Sequence, residues 1–195
     1  MRSLVISELF AALPALGISC LRFNFRGVGE SSGIHDDGDA ERLDVLTAVD
    51  AFDDTTSPLV IAGWSFGADV TLSIDAPTVG GWIAIAPPLR YGCSFEAVAA
   101  DARPKLVVLG AHDEFRDAAE VASITAGWSN TTTETVAGAS HFFGGRTEHL
   151  VDLMGTWMRD EFFEIRKEVL FHPRVGANLG SGNAPSRSLI HREGP

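Results

Sequence analysis

Three short segments of this 195-residue chain carry residues whose types and order can do covalent chemistry: Gly63-Trp64-Ser65-Phe66-Gly67, Gly110-Ala111-His112-Asp113-Glu114 and Gly138-Ala139-Ser140-His141-Phe142. A serine hydroxyl is a weak nucleophile until a base takes its proton. Histidine can serve as that base, and a carboxylate that fixes the imidazole tautomer completes the set. Ser65, Asp113 and His141 follow one another in the order nucleophile, acid, base, at spacings of 48 and 28 residues. Both gaps leave room for at least one helix and strand, so the three side chains can meet only through the fold. The chemistry such a trio performs is acyl transfer, in which Ser65 attacks a carbonyl, His141 shuttles the proton and Asp113 steadies the imidazolium.

The serine motif reads as a nucleophile elbow, a sharp strand-to-helix turn that exposes the hydroxyl. An apolar strand over residues 59–62 runs into it, and a helix is expected from about Phe66. Both Gly positions are expected to avoid collisions with neighbouring backbone. The Phe66 backbone N–H, at the helix N-terminus, is the expected oxyanion donor. Trp64 and Phe142 are candidates for lining the substrate pocket, and Glu114 is the substitute should Asp113 not be the acid. The bland alternatives are a Gly-rich turn, a turn-capping aspartate and a solvated loop histidine.

Such loops need strands and helices to hold them. Continuous apolar runs at residues 18–25, 59–63, 82–86 and 106–110, with a weaker one at 132–136, read as strands buried on both faces. Helical periodicity occupies residues 3–13, 40–52, 66–74, 117–127 and 147–170. The alternation predicts a three-layer α/β sandwich with a mostly parallel central sheet. Residues 1–170 are read as one domain and 171–195, rich in Gly, Ser, Asn, Pro and Arg, as a disordered tail.

Composition narrows the partners. Fifteen Lys and Arg stand against 26 Asp and Glu, a formal charge of −11, so a nucleic-acid partner is not expected. Residues 1–165 carry 10 basic and 24 acidic groups and residues 166–195 carry 5 and 2, so the acidity belongs to the body of the chain. No apolar run is long enough for a membrane span, and the first 20 residues read as an amphipathic helix rather than a signal peptide. A cytoplasmic location is the expectation. Cys20 and Cys93 are read as free thiols, with no zinc spacing around them. Gly27-Val28-Gly29 lacks the spacing and the following helix of a dinucleotide loop. His35, Asp36, Asp37 and Asp39 read as a solvated loop whose Asp39 or a neighbour caps the next helix, not as a metal site. Arg26, with Glu30 and Ser31, is read as shaping the loop beside the site.

The segment Leu21-Arg22-Phe23-Asn24-Phe25-Arg26-Gly27-Val28-Gly29-Glu30-Ser31-Ser32-Gly33, followed in order by the serine, acidic and histidine loops, resembles the α/β-hydrolase superfamily, and more narrowly its small lidless bacterial members, including esterase-like, serine-aminopeptidase-like and dienelactone-hydrolase-like proteins. The resemblance spans about residues 1–165. It implies a serine hydrolase acting on small acyl substrates, with no cofactor and no metal. A peptidase or thioesterase of the same fold is the nearest alternative, and an impaired fragment acting as a binding protein is the more distant one. Residues 87–104 are too short for a lid. One departure stands out: in the family a further strand and a His/Pro/Gly-rich loop precede the first helix, the strand lying between those expected here at 18–25 and 59–63. The expectation is a shortened N-terminus, a slot in the sheet, one oxyanion donor fewer and weak activity.

Overall fold

A computed structural model describes residues 3–52, 57–91 and 94–163. Its four strands, β1 (Leu59–Trp64), β2 (Val79–Ile85), β3 (Lys105–Gly110) and β4 (Thr131–Val136), form one parallel sheet in chain order. Parallel neighbours need a crossover, and these are supplied by α3 (Phe66–Leu72), the short α4 (Glu96–Ala100) and α5 (Ala118–Thr125). Two helices, α1 (Leu4–Ala12) and α2 (Glu41–Ala51), precede the sheet and α6 (Thr147–Phe162) follows it. The result is the three-layer α/β architecture that the alternating runs predict.

The two central strands are apolar, because both their faces are covered, except at the buried Lys105, which opens β3 and whose Nζ donates to the Asp101, Arg103 and Ser129 carbonyls. Side chains alternate across a strand, and the core divides accordingly. Ile83, Ile85, Leu106 and Val108 pack with Val5 and Leu9 of α1 and Leu150 and Met154 of α6. Trp82 and Ala84 pack with Val45 and Val49 of α2 and Val70 and Leu72 of α3. Val107 and Leu109 meet Val121 of α5.

Residues 18–25 do not form the expected strand. Their run has strand-like composition, but a strand exists only as one member of a hydrogen-bonded pair, and no ladder reaches this segment. Instead, residues 18–25 and β1 line a cleft of about 1110 Å³ that extends to Ser65 and Phe66. β1 is consequently less covered than its neighbours: Leu59 and Val60 are half-buried and Ala62 is exposed, whereas every residue of β3 is buried.

Smaller differences have local causes. β2 begins at Val79 rather than at residue 82, because Val79 pairs with Leu59 and Gly81 with Val60, the register shift between them passing over Gly80. A Cβ on Gly81 would lie 2.8 Å from the Pro104 carbonyl oxygen, so glycine is needed for that approach. Residues 87–104, too short for a lid, hold the five-residue α4. The helix cap expected from Asp39 is also different. α2 starts with no side-chain cap on Ala40, and the buried Glu41 carboxylate turns back to accept from the Asp36 and Gly38 N–H groups at 3.0 Å each. Glu41 thereby ties the loop before α2 to the helix's first turn, where negative charge is favoured.

The expected continuation of α6 to residue 170, the 171–195 tail and Cys93 lie outside the described residues. Cys20 is a free thiol, and partial burial pushes its pKa up. Among the described residues, no helix is long and apolar enough to cross a membrane. The unpaired segment predicts a measurable asymmetry in hydrogen exchange. Backbone amides of residues 18–25 should exchange at least about 100-fold faster than those of β3, read by mass spectrometry after short deuterium pulses. Equal protection would show that residues 18–25 are paired in solution.

Candidate active site

All four strands point their C-terminal ends to one edge of the sheet, where open α/β sheets place their ligands. At that edge Ser65 is the whole connection between β1 and α3. Its φ of 54° and ψ of −124° lie outside the helix and strand regions, a conformation that for a non-glycine residue costs about 1–3 kcal/mol. Surrounding hydrogen bonds hold it there. The Ser65 N–H donates to the Ile85 carbonyl at 2.8 Å, and its own carbonyl accepts from the Ala68 N–H at 2.8 Å and the Asp69 N–H at 3.3 Å.

The two glycines of the motif do different work. A Cβ on Gly63 would stand 2.1 Å from the Gly67 carbonyl oxygen and 2.6 Å from the Ala68 nitrogen, so no other residue permits the turn. A Cβ on Gly67 would meet only the Phe25 ring, at 3.7 Å, which is an ordinary contact. The expectation that both glycines avoid backbone collisions therefore holds for Gly63 and fails for Gly67, because the chain turns back on residue 63 and away from residue 67.

Ser65, His141 and Asp113 are brought into one hydrogen-bonded line. His141 Nε2 lies 2.8 Å from Ser65 Oγ, and His141 Nδ1 lies 2.8 Å from Asp113 Oδ2. The imidazole and the carboxylate are nearly inaccessible, with side-chain exposures of 6% and 4%. The other Asp113 oxygen accepts from the Phe115 N–H at 2.9 Å and the Arg116 N–H at 3.2 Å, which fixes the carboxylate plane. With Nδ1–H donating to Asp113, the Nε2 lone pair faces the serine hydroxyl. Phe66 is the first residue of α3, so its N–H has no carbonyl within the helix to receive it and remains a donor beside Ser65.

Three further contacts set the histidine loop in place. Trp64 Nε1 donates to the His141 carbonyl at 3.0 Å, so this side chain, expected to line a pocket, also braces the base. The Glu114 carboxylate accepts from the His141 N–H at 3.1 Å. It therefore holds the backbone of the residue whose ring Asp113 holds, a role the sequence reading missed by treating Glu114 only as a substitute acid. A Cβ on Gly110 would lie 2.7 Å from the Ser140 carbonyl oxygen, which shows how closely β3 approaches the loop. Beyond it, Phe143 is fully buried with a φ of 51° and acts as the plug of that loop. Phe142 remains about half exposed beside the His141 ring, at a centroid distance of 5.3 Å.

On the opposite flank, Phe66 packs against Phe25, His35 and Tyr91 at 5.7, 5.0 and 5.5 Å. Each of those neighbours is anchored. The Arg26 guanidinium and backbone N–H both bind Asp44 of α2 and lower its carboxyl pKa, and His35 Nδ1 lies 2.7 Å from Glu41. Tyr91 sits on a loop whose Leu89, Arg90 and Tyr91 N–H groups all donate to the buried Asp69 carboxylate, between 2.8 and 2.9 Å. Burial pushes the Asp69 carboxyl up, and the three donors pull against it. Nothing in the composition marks Asp69. Its signal is position alone, a carboxylate one turn into the helix behind the nucleophile.

With these parts a carbonyl carbon beside Ser65 Oγ can be attacked, the hydroxyl proton received at Nε2 and the developing oxyanion met by the Phe66 N–H. Comparison with known proteins finds this fold among α/β hydrolases. The chain is 34% identical to an alpha-beta serine hydrolase homologue from Coxiella burnetii, covering 80% of this chain and 76% of that one with a TM-score of 0.70. It is 32% identical to a Xanthomonas campestris protein described as an a/b serine hydrolase without lid, covering 84% and 76% with a TM-score of 0.74. At 16% identity, Est1E from Butyrivibrio proteoclasticus with bound ferulic acid shares the fold, with a TM-score of 0.73 over 82% of this chain and 84% of that one. An uncharacterized Rickettsia prowazekii protein is 29% identical over 161 residues, 76% of this chain and 68% of that one. No protein-family model matches the chain.

The contrast between the two glycines is directly testable. Gly63→Ala should destabilise the fold by more than about 3 kcal/mol. Gly67→Ala, a helical position with ordinary dihedrals, should change stability by less than about 1 kcal/mol. Urea unfolding of both variants measures this, and equal losses would contradict the geometry.

Proposed function

The chain belongs to the α/β-hydrolase superfamily, and from that premise we propose that it is a serine hydrolase cleaving carboxylic esters or related small acyl compounds through Ser65, His141 and Asp113. The observation that carries this reading is the unbroken line Ser65 Oγ to His141 Nε2 to Asp113, with 2.8 Å at each link. Structural hydrogen bonds rarely leave a histidine lone pair aimed at a serine hydroxyl held in a strained turn, and this combination is what acyl transfer needs.

The mechanism follows from the geometry. Ser65 Oγ attacks the carbonyl carbon as its proton passes to Nε2. The resulting oxyanion lies by the Phe66 N–H at the α3 N-terminus, where helix-end donors favour negative charge. Collapse of the tetrahedral intermediate breaks the bond to the leaving oxygen, which takes the proton from His141, and an acyl-serine remains. A water molecule then gives its proton to His141, attacks the acyl carbon and releases the acid, and the proton returns to Ser65. Asp113 keeps Nδ1 protonated and stabilises the imidazolium in both halves. Every proton and electron pair is accounted for by these three side chains, the substrate and water.

A fluorophosphonate probe should label the purified protein at Ser65, with no labelling in Ser65→Ala. Hydrolysis of short aryl esters should fall by at least about 10⁴-fold in that variant. A folded wild type that takes no label would leave a binding role as the better account. Thioester and aminoacyl-amide substrates in the same assay separate esterase from thioesterase or peptidase action. The two adjacent carboxylates supply a second test. Asp113→Ala should lower kcat by about 10⁴-fold, whereas Glu114→Ala, which loses one hydrogen bond to the His141 backbone, should cost about tenfold. A larger loss from Glu114→Ala would exchange their roles.

A further inference from the structure

We propose that Phe115 and Phe142 form a binding site for the alcohol portion of the substrate, and that this site selects esters with an aromatic leaving group. The inference rests on the hydrolase reading above and extends it to substrate class. In that mechanism His141 delivers a proton to the leaving oxygen, so the oxygen must come within about 3 Å of Nε2. The remainder of the alcohol then lies over the His141 side of Ser65, and the acyl portion lies toward the cleft that opens on the other side.

What surrounds His141 on that side is aromatic. The Phe115 ring stands 4.7 Å from the imidazole centroid, Phe142 5.3 Å and Trp64 5.3 Å. Phe115 and Phe142 meet edge to face at 6.0 Å and 80°, and Phe142 leans on Trp64 at 5.7 Å. These rings shield the imidazole, which is almost inaccessible, yet Phe115 is 52% and Phe142 47% exposed. Two large apolar side chains thus present open ring surface to solvent within one ring diameter of the general acid. Aromatic surfaces prefer offset or edge-to-face partners at about 4.5–7 Å, and a planar ring entering against Phe115 and Phe142 would complete such a cluster.

The backbone at both rings is also fixed, and the rings touch each other, before any ligand arrives. The Phe115 N–H donates to the Asp113 carboxylate at 2.9 Å, so the acid of the triad itself places this residue. Phe142 directly follows His141, whose backbone is fixed by Trp64 and Glu114. A site whose rings are already ordered loses little side-chain entropy on binding.

The test compares ethyl acetate with benzyl acetate, two esters of one acid whose alcohols differ mainly in the ring. The wild type should favour benzyl acetate in kcat/KM by at least about tenfold, the scale of one aromatic contact. Phe115→Leu and Phe142→Leu keep an apolar side chain but remove the ring, and each should cut that preference at least threefold. The ratio is the readout because damage to packing around His141 would slow both esters together. A wild type without benzyl preference, or variants in which both rates fall in parallel, would overturn the site. Fluorophosphonate labelling of each variant reports whether Ser65 is still activated. Labelling with no benzyl preference rejects the leaving-group site and leaves the hydrolase reading standing, whereas loss of labelling and of both hydrolyses in the folded wild type rejects both.

Discussion

The close passage of the chain at Gly63 over the backbone of Gly67 and Ala68 is the constraint on which the site depends. Because no Cβ stands at residue 63, β1 can end and α3 begin with one residue between them. That single residue is forced into a left-handed conformation and carries the hydroxyl. The strain, about 1–3 kcal/mol, is offset by hydrogen bonds to β2 and to the first turn of α3. A longer turn would relax Ser65 but would also move its hydroxyl from the line of His141 and separate it from the Phe66 N–H.

The second half of the site is set against the first by contacts of a different kind. Asp113 and His141 leave the ends of β3 and β4, adjacent strands that run in parallel register from Lys105 and Thr131 to Gly110 and Val136. The glycine at residue 110 lets the histidine loop pass within contact of the strand end. Asp113 then fixes the ring of His141, Glu114 its N–H and Trp64 its carbonyl. A base held at three points can keep the sub-ångström alignment that proton transfer requires. One of those points, Trp64, lies next to the nucleophile, so the elbow and the histidine loop are tied together directly.

Much of this was legible in the residues themselves. The apolar runs at 59–63 and 106–110 read as strands because strands covered on both faces need no alternation, with the serine and acidic loops at their ends, and the histidine loop follows the weaker run at 132–136. The run at 18–25 misled for the same reason it looked convincing. Its composition is that of a buried strand, but pairing is a property of the neighbour, and a single segment carries no record of whether a neighbour lies alongside. The run at 82–86 falls short of β2 because two glycines carry no apolar signal, although a Cβ on Gly81 would strike the Pro104 carbonyl oxygen. Glu114, Asp69 and Phe115 were illegible as contributors because their roles depend on contacts across the fold. A carboxylate beside a candidate acid looks redundant until the backbone it holds is seen, and an exposed phenylalanine looks incidental until it is found against the base.

The sheet is unevenly supported, and the catalytic line crosses the boundary. β3 is buried throughout and has a strand on each side, while β1, among the described residues, has a partner only in β2 and borders the cleft. The nucleophile follows one edge strand, β1, the acid follows the covered β3, and the base follows β4, the opposite edge strand, which pairs with β3 and is largely uncovered. Two bonds join the elbow to the histidine loop, Trp64 Nε1 to the His141 carbonyl and Ser65 Oγ to His141 Nε2, while the Ser65 N–H ties the elbow to β2 through the Ile85 carbonyl. Since Asp113 and His141 are locked to each other and to their own loops, small displacements of β1 change chiefly the Ser65 to His141 distance. Alignment of the nucleophile is therefore governed less by the residues that touch it than by how firmly β1 is held against β2, along the pairing from Leu59 with Val79 to Trp64 with Ile85.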